Sequence, residues 1–331
     1  MKKVLITGAS GFVGSFLVEA FLGADPELEV YAGVRKTSSR QFLTDPRIQF
    51  FEMDFSNQKK LEKDLGEKGF NYVIHNAGLT KADRKKDYFL VNCDYTENLI
   101  NALQTLPVPV EKFVYMSSMA AYGPADNMPE DLVKETDTPR PIDTYGESKL
   151  AAERVIKKYK NLPYLIFRPT AVYGPRERDI YTFFTILNKG LEPYIGMAEQ
   201  ALTFIYVKDL VALIAKATLS KHRQKCYFVA DGNVYSNYDL GKYGKKYLNK
   251  KAIKIKVPTG LVRGIAYLNE SIGKIIGKMP ALNLEKVNIL ESLNWKCDIR
   301  ALKTDFDFIP KYNLATGLQE TIEWYRKEGW L

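Results

Sequence analysis

A chain of 331 residues with 46% hydrophobic and 26% charged side chains can bury a substantial core and exceeds one typical domain, which excludes an intrinsically disordered protein. Its net charge of +9 comes from scattered lysines with no recognition motif, so a phosphate-bearing cofactor or a solvated surface explains it and nucleic-acid binding is not expected. Cys93, Cys226 and Cys297 lie far apart and His75 and His222 are the only histidines, which suits neither a disulfide framework, a zinc site nor a Ser-His-Asp hydrolase.

In chain order, Val4-Leu5-Ile6 is an uncharged aliphatic run that reads as a strand buried on both faces. Starting directly on a core strand, with no uncharged run near the ~18 residues that cross a bilayer, the chain is expected to be cytoplasmic, without signal peptide or transmembrane segment. Thr7 to Gly14 then forms a glycine turn into a helix with apolar positions from Phe16 to Leu22. Gly8, Gly11 and Gly14 are spaced three apart. Without side chains they let a pyrophosphate approach the backbone, and the first N–H groups of a helix favour an anion. A tight strand-to-helix connection is the plain alternative.

Glu29 to Val34 is a second strand, ending at Arg35-Lys36, where a dinucleotide-binding βαβ unit meets the adenosine ribose. An arginine there accommodates a 2′-phosphate and a carboxylate binds the 2′-OH, so Arg35 argues for NADP over NAD, with a solvated loop arginine as the alternative. Ile48 to Asp54 is a third strand with Asp54, followed by Phe55, at its ligand-facing end. Asn71 to Gly78 is a fourth, and the small or polar Asn76-Ala77-Gly78 permits close approach of a ligand. A helix from about Asp87 to Leu106 carries Asn92; Lys112 to Ser118 is a fifth strand ending in Ser117 and Ser118. Residues 124–140 read as a loop.

A helix opens near Pro141, where Thr144 and Glu147 have capping-box spacing, and Tyr164 to Arg168 is a sixth strand. Such alternation predicts an α/β fold, a doubly wound parallel sheet of Rossmann type. Beyond Pro169 come a charged turn at 174–179, a helix from Thr182 to Lys189, a strand from Leu202 to Val207 and an alanine-rich helix. Helices and short strands follow from about Ser236, with lysines at 245–256. The expected division is a dinucleotide-binding domain of residues 1–171 plus about 203–230, and a smaller, mostly C-terminal α/β substrate domain of 172–202 plus about 231–331.

Tyr145 and Lys149 are four residues apart and share a helix face. A phenol with a reference pKa of ~10 is a poor acid or base at neutral pH. A neighbouring ammonium and the charge of an oxidised nicotinamide favour the phenolate, and Ser118 at a neighbouring strand end is suited to hold a substrate oxygen. A surface helix pair is the alternative for these two residues alone.

At this point the chain resembles the extended branch of the short-chain dehydrogenase/reductase superfamily, which also contains the sugar-nucleotide epimerases and dehydratases. The likeness rests on Thr7-Gly-Ala-Ser-Gly-Phe-Val-Gly14, His75-Asn-Ala-Gly78, Ser117-Ser118 before Tyr122-Gly123, Tyr145-Gly-Glu-Ser-Lys149, Arg168-Pro-Thr-Ala-Val-Tyr-Gly-Pro175 and Phe204-Ile-Tyr-Val-Lys-Asp209. It implies Tyr145 as general acid/base, Lys149 lowering its pKa and binding the nicotinamide ribose, and Ser118 polarising the reacting oxygen. It also implies cofactor contacts at Gly8, Ser10, Gly11, Phe12, Val13, Gly14, Arg35, Lys36, Asp54, Phe55, Asn76, Ala77, Gly78, Ser117 and Pro169. Asn92 corresponds to the helix asparagine that supports the lysine. His75 reads as a packed or backbone-positioning residue rather than a catalyst.

Departures from subfamily patterns narrow the reaction. Dehydratases of this branch carry Asp-Glu after the catalytic hydroxyl residue; here Met119 and Ala120 stand there. Sugar-nucleotide enzymes usually have a diphosphate-binding arginine five residues before Val207; here it is Leu202, with Arg176 and Arg178 as candidate substitutes. The closest resemblance is to dihydroflavonol-reductase-like and hydroxysteroid-dehydrogenase-like members, with Phe183, Phe184, Ile186 and Leu187 either lining an apolar pocket or forming ordinary core. The expected function is an NAD(P)-dependent oxidoreductase acting on a small-molecule ketone or secondary alcohol, NADP preferred and NAD admissible. An NAD-dependent epimerase of a nucleotide-linked sugar and a non-catalytic dinucleotide sensor are the alternatives. The resemblance further implies a homodimer through two helices per subunit. The basic, partly amphipathic stretch 259–278 reads as a packed or solvated helix, with membrane association as its alternative.

Overall fold

The computed structural model describes residues 1–331 except 127, 129, 277–279 and 281, and the elements named here are those of the described residues. The first half alternates β1 (Lys3–Thr7), α1 (Phe12–Ala24), β2 (Glu29–Val34), β3 (Gln49–Glu52), α2 (Gln58–Lys68), β4 (Tyr72–His75), α3 (Lys85–Phe89), α4 (Tyr95–Gln104), β5 (Lys112–Met116), α5 (Thr144–Lys158) and β6 (Tyr164–Pro169). Then come β7 (Ala171–Tyr173), α6 (Asp179–Asn188), β8 (Leu191–Ile195), β9 (Ala201–Leu202), β10 (Phe204–Tyr206), α7 (Val207–Thr218) and β11 (Lys225–Val229). The chain ends with β12 (Tyr235–Ser236), α8 (Asp239–Leu248), β13 (Ile253–Val257), α9 (Thr259–Ile276), α10 (Leu284–Glu291), α11 (Arg300–Phe306) and α12 (Leu314–Lys327).

Seven parallel strands form the central sheet in the order β11-β6-β5-β4-β1-β2-β3. Side chains alternate across a strand, so Val4 and Ile6 enter one apolar layer with Phe16, Leu17, Leu210 and Ile214, whereas Leu5 enters the other with Val73, Leu99, Phe113 and Ile156. Helices α1 and α7 therefore cover one face and α2, α4 and α5 the other, the doubly wound arrangement expected. A third apolar cluster joins Tyr173, Phe184, Leu187, Leu248, Leu318 and Ile322.

Three local expectations are corrected and one open alternative is decided. The helix expected from Asp87 to Leu106 is interrupted by a π-helical turn at Leu90–Asp94, which carries Asn92; such turns widen a helix locally and recur at functional sites. The cap of α5 is Asp143, whose carboxylate accepts from the Gly146 N–H at 2.9 Å, not the Thr144/Glu147 pair. The strand expected over Leu202 to Val207 is split at Thr203, whose hydroxyl donates to the Trp295 carbonyl at 2.7 Å. Before it β9 pairs antiparallel with β12; after it β10 runs parallel to β7. Finally, Phe184 and Leu187 are fully buried core against Gly244, with Phe183 packed on the same cluster, and none of the three lines a cleft.

Candidate active site

The turn after β1 is shaped by steric exclusion. Gly8 has φ +65°, and a Cβ there would lie 2.8 Å from the Ala77 Cα; one on Gly14 would lie 2.0 Å from the Gly8 carbonyl oxygen. The loop thus folds flat against the end of β4. Gly11 caps α1 with no side-chain hydrogen bond and no acid in the first turn, leaving the leading N–H groups of Phe12, Val13 and Gly14 without an intrahelical partner. This backbone cradle, bordered by Ser10, fits a pyrophosphate.

The ends of β1 and β4 are joined by a buried polar chain. The Ala77 N–H donates to Thr7 Oγ1 at 3.1 Å, which lies 2.8 Å from His75 Nδ1; His75 Nε2 lies 2.9 Å from Thr96 Oγ1, which donates to the Asn92 carbonyl at 2.8 Å. Since Thr96 spends its proton on Asn92 and Thr7 accepts from Ala77, the consistent tautomer has His75 donating through Nε2 and accepting at Nδ1. Burial, and secondarily the charge of Lys149, lowers the His75 pKa to about 3. His75 is therefore a neutral strut.

Asn92 continues the chain. Its Oδ1 accepts from the Leu79 N–H at 2.7 Å, and its amide donates to the Leu79 carbonyl at 3.0 Å and to Ser148 Oγ at 2.9 Å. A Cβ on Gly78 would come within 2.9 Å of Asn92 Oδ1 and 3.2 Å of Lys149 Nζ, so the missing side chain leaves room for the lysine head. The buried Lys149 ammonium donates to the Met116 carbonyl at 2.8 Å and stands 4.7 Å above the Tyr115 ring. Burial lowers its pKa to about 8, with Glu153 opposing.

Tyr145 and Ser118 face one another across the floor of a cleft of about 1280 Å³ at the carboxyl edge of the sheet. Ser118 Oγ accepts from the Ala120 N–H at 3.1 Å. Burial raises the tyrosine to about 12, with the Ser118 contact opposing. The phenol is thus not poised as phenolate in the free protein, contrary to the simple expectation from Lys149, whose ammonium is turned to a carbonyl and an aromatic face.

Pro169 also lines the cleft. Arg35 and Lys36 follow β2, exposed, and among the described residues their side chains make no hydrogen bond or ion pair. Asp54 follows β3 with its carboxylate held by the Ser56 N–H and hydroxyl, which lower its pKa, and the Phe55 ring stacks on Tyr95 at 6.1 Å. The Ser117 hydroxyl turns from the cleft to donate to Glu153 Oε1 at 2.6 Å, which leaves its backbone at the strand end. Arg176 and Arg178 do not line the cleft either. Arg176 is spent on Ser15 Oγ and Glu19, and Arg178 lies over Trp330.

Three contributors escaped sequence reasoning. Asp143 had a signal, an acid directly before a helix start. The buried pair of Glu153 with Arg168, at 2.9 and 2.6 Å, had none, since it joins α5 to β6. Nor had Glu285 of α10, which accepts from the Thr144 N–H at 3.0 Å and from its hydroxyl at 2.8 Å and pairs with Lys85, fastening the far wall of the cleft to the start of α5.

Residues 4–230 match the profile of a family described as the NAD dependent epimerase/dehydratase family. The chain is 26% identical to a decarboxylating sterol-4-alpha-carboxylate 3-dehydrogenase of Candida albicans, over 99% of each chain. It is also 26% identical to the N-acetyl-alpha-D-glucosaminyl-diphospho-ditrans,octacis-undecaprenol 4-epimerase of Escherichia coli O157:H7, over 97% of this chain and 95% of that one. In fold it is similar to UDP-glucuronic acid 4-epimerase from Bacillus cereus in complex with UDP-glucuronic acid and NAD, with TM-score 0.79, 23% identity, and coverage of 98% and 99%.

Proposed function

Because the chain belongs to the NAD dependent epimerase/dehydratase family, we propose that it is a nicotinamide-linked oxidoreductase that interconverts a ketone and a secondary alcohol, with Tyr145 as general acid/base. In this reading residues 1–171 with about 203–230 hold the cofactor, and 172–202 with about 231–331 select the substrate. The diphosphate rests on the backbone of residues 8–14 and the adenosine end meets Arg35, Lys36, Asp54 and Phe55. The nicotinamide end meets Asn76 to Gly78, Ser117 through its backbone, Lys149 and Pro169. When bound, the nicotinamide supplies or accepts the hydride.

The protein's own part is proton management. At neutral pH the phenol at about 12 keeps its proton and the ammonium at about 8 keeps its charge, the state needed to protonate a ketone oxygen. Ser118, already accepting from Ala120, has its hydroxyl proton left to donate to that oxygen. The observation that carries the reading is that Ser118 and Tyr145 line one cleft while Lys149, one helical turn on from Tyr145, is held on the Met116 carbonyl.

The lining favours an uncharged substrate over a nucleotide diphosphate. Leu202 stands where a phosphate-binding arginine would serve, and among the described residues the lining basic ones are Lys81 and Lys286, of which Lys81 is paired with Asp179 at 2.5 Å. Met119 and Ala120 offer no acid for dehydration. Epimerisation of a nucleotide-linked sugar with NAD is the second reading, favoured by the fold likeness to a sugar-nucleotide epimerase along nearly the whole chain. Arg35 supports NADP, and a cytoplasmic homodimer accompanies the first reading. Tyr145→Phe should lower kcat about 10²- to 10⁴-fold with cofactor binding unchanged, measured by NADPH oxidation over a panel of apolar ketones. Turnover of UDP-sugars with no ketone reduction would replace this reading by the second.

A further inference from the structure

Helix α9 has three distinct sides. Val262 and Ala266 are buried, packed with Val287 of α10 and with Ile195 and Val257. Arg263 pairs with Glu291, and Glu270 accepts from the Leu284 N–H, so a second side faces α10. The third side carries Leu261, Ile265 and Leu268, at i, i+4 and i+7, with exposures of 59%, 43% and 62%. Nothing among the described residues covers it.

The small β8/β13 sheet, which adjoins α9 through Ile195 and Val257, also carries exposed apolar residues. In the parallel register Leu191 pairs with Ile253 and Pro193 with Ile255, while Glu192 and Tyr194 point inward and are buried. Leu191, Ile253 and Ile255 are exposed on the same sheet face as Ile195 and Val257, which pack on α9. Single exposed apolar residues are ordinary, but six on three adjoining elements, α9, β8 and β13, are not. At the edge where both strands begin stand Lys189, Lys250 and Lys251, all exposed.

We propose that this face docks on an anionic phospholipid bilayer, with the α9 stripe and the sheet edge entering the headgroup region and the lysines meeting lipid phosphates. Charge complementarity selects this occupant. A second copy joined through the same face by a two-fold axis would bring its lysines to the same patch, whereas anionic headgroups supply the counter-charge. The position also serves an enzyme: α10, packed on α9 through Val287, lines the cleft with Ile289 and Leu290. The surface rests on its own geometry and does not depend on the oxidoreductase reading.

The test is co-sedimentation of the full chain with vesicles of phosphatidylcholine alone or mixed equally with phosphatidylglycerol, at low and high salt. The unaltered protein should bind the anionic vesicles, less at high salt. Neutralising Lys189→Gln, Lys250→Gln and Lys251→Gln together should weaken binding about a hundredfold, at roughly fivefold per lysine. The surface variant Leu261→Gln/Ile265→Gln/Leu268→Gln should weaken it at least as much while its circular dichroism and cofactor binding stay unchanged. No binding to anionic vesicles, or equal binding by both variants, overturns the proposal. So does self-association, in ultracentrifugation, that only the α9 variant loses, which would make a second copy the occupant. None of these readouts uses turnover, so the fate of the catalytic reading is decided separately.

Discussion

His75 illustrates how one residue couples the site to acidity. Its ordinary pKa of 6.5 falls to about 3 in the fold because a charged imidazole would be stripped of water and would face the Lys149 ammonium. Between these values the unfolded chain binds a proton that the folded chain refuses. Stability from this group is complete above pH 6.5 and is lost as pH falls, by up to about 1.4 kcal/mol per pH unit. His75→Gln should therefore be less stable at neutral pH, and the gap to the unaltered protein should narrow from pH 6.5 to 4.5 in urea titrations. Parallel curves would mean that the folded protein takes up the proton after all. The histidine was legible as a non-catalytic packed residue, but its partners were not, since Thr7 and Thr96 belong to a strand and a helix that only the fold brings together.

The elements most legible were those whose periodicity is local. Strands β1, β2, β4, β5 and β6 follow from aliphatic runs bounded by turns, and α1 from its apolar spacing. Less legible were features set by partners remote in sequence, such as the break at Thr203 and the Glu153–Arg168 pair that locks α5 onto β6. Both side chains of that pair are fully buried, and the guanidinium is also stacked 4.2 Å over the Tyr122 ring. Arg168→Met should cost about 3–5 kcal/mol in urea denaturation, because it leaves a buried carboxylate with Ser117 and a distant Lys157 for company. Adding Glu153→Leu should recover most of the loss, since a well-packed apolar pair removes the desolvation cost of both charges. If the double variant is as unstable as the single one, packing around Tyr122 and Phe228 matters more than charge.

For the molecule as a whole, the glycine turn, strand-end arginine and YxxxK pair were legible together because the family fold places these separate motifs along one sheet edge. In the proposed reading their contributions to cofactor affinity converge on a single observable. A ligand that binds only the native state raises the melting temperature in proportion to RT ln(1 + [L]/Kd). NADPH should therefore raise it more than NADH at equal concentration, and Arg35→Glu should reverse the order, as a carboxylate repels a 2′-phosphate and accepts from a 2′-hydroxyl. An unchanged order would assign Arg35 to solvent.

Glu285 reaches the backbone of Thr144 across 141 positions of chain. During synthesis the central sheet and the helix bearing Tyr145 emerge well before that carboxylate does, with Asp143 alone to steady the helix start. The wall that Glu285 fastens is therefore built from chain made long after the helix that it closes upon.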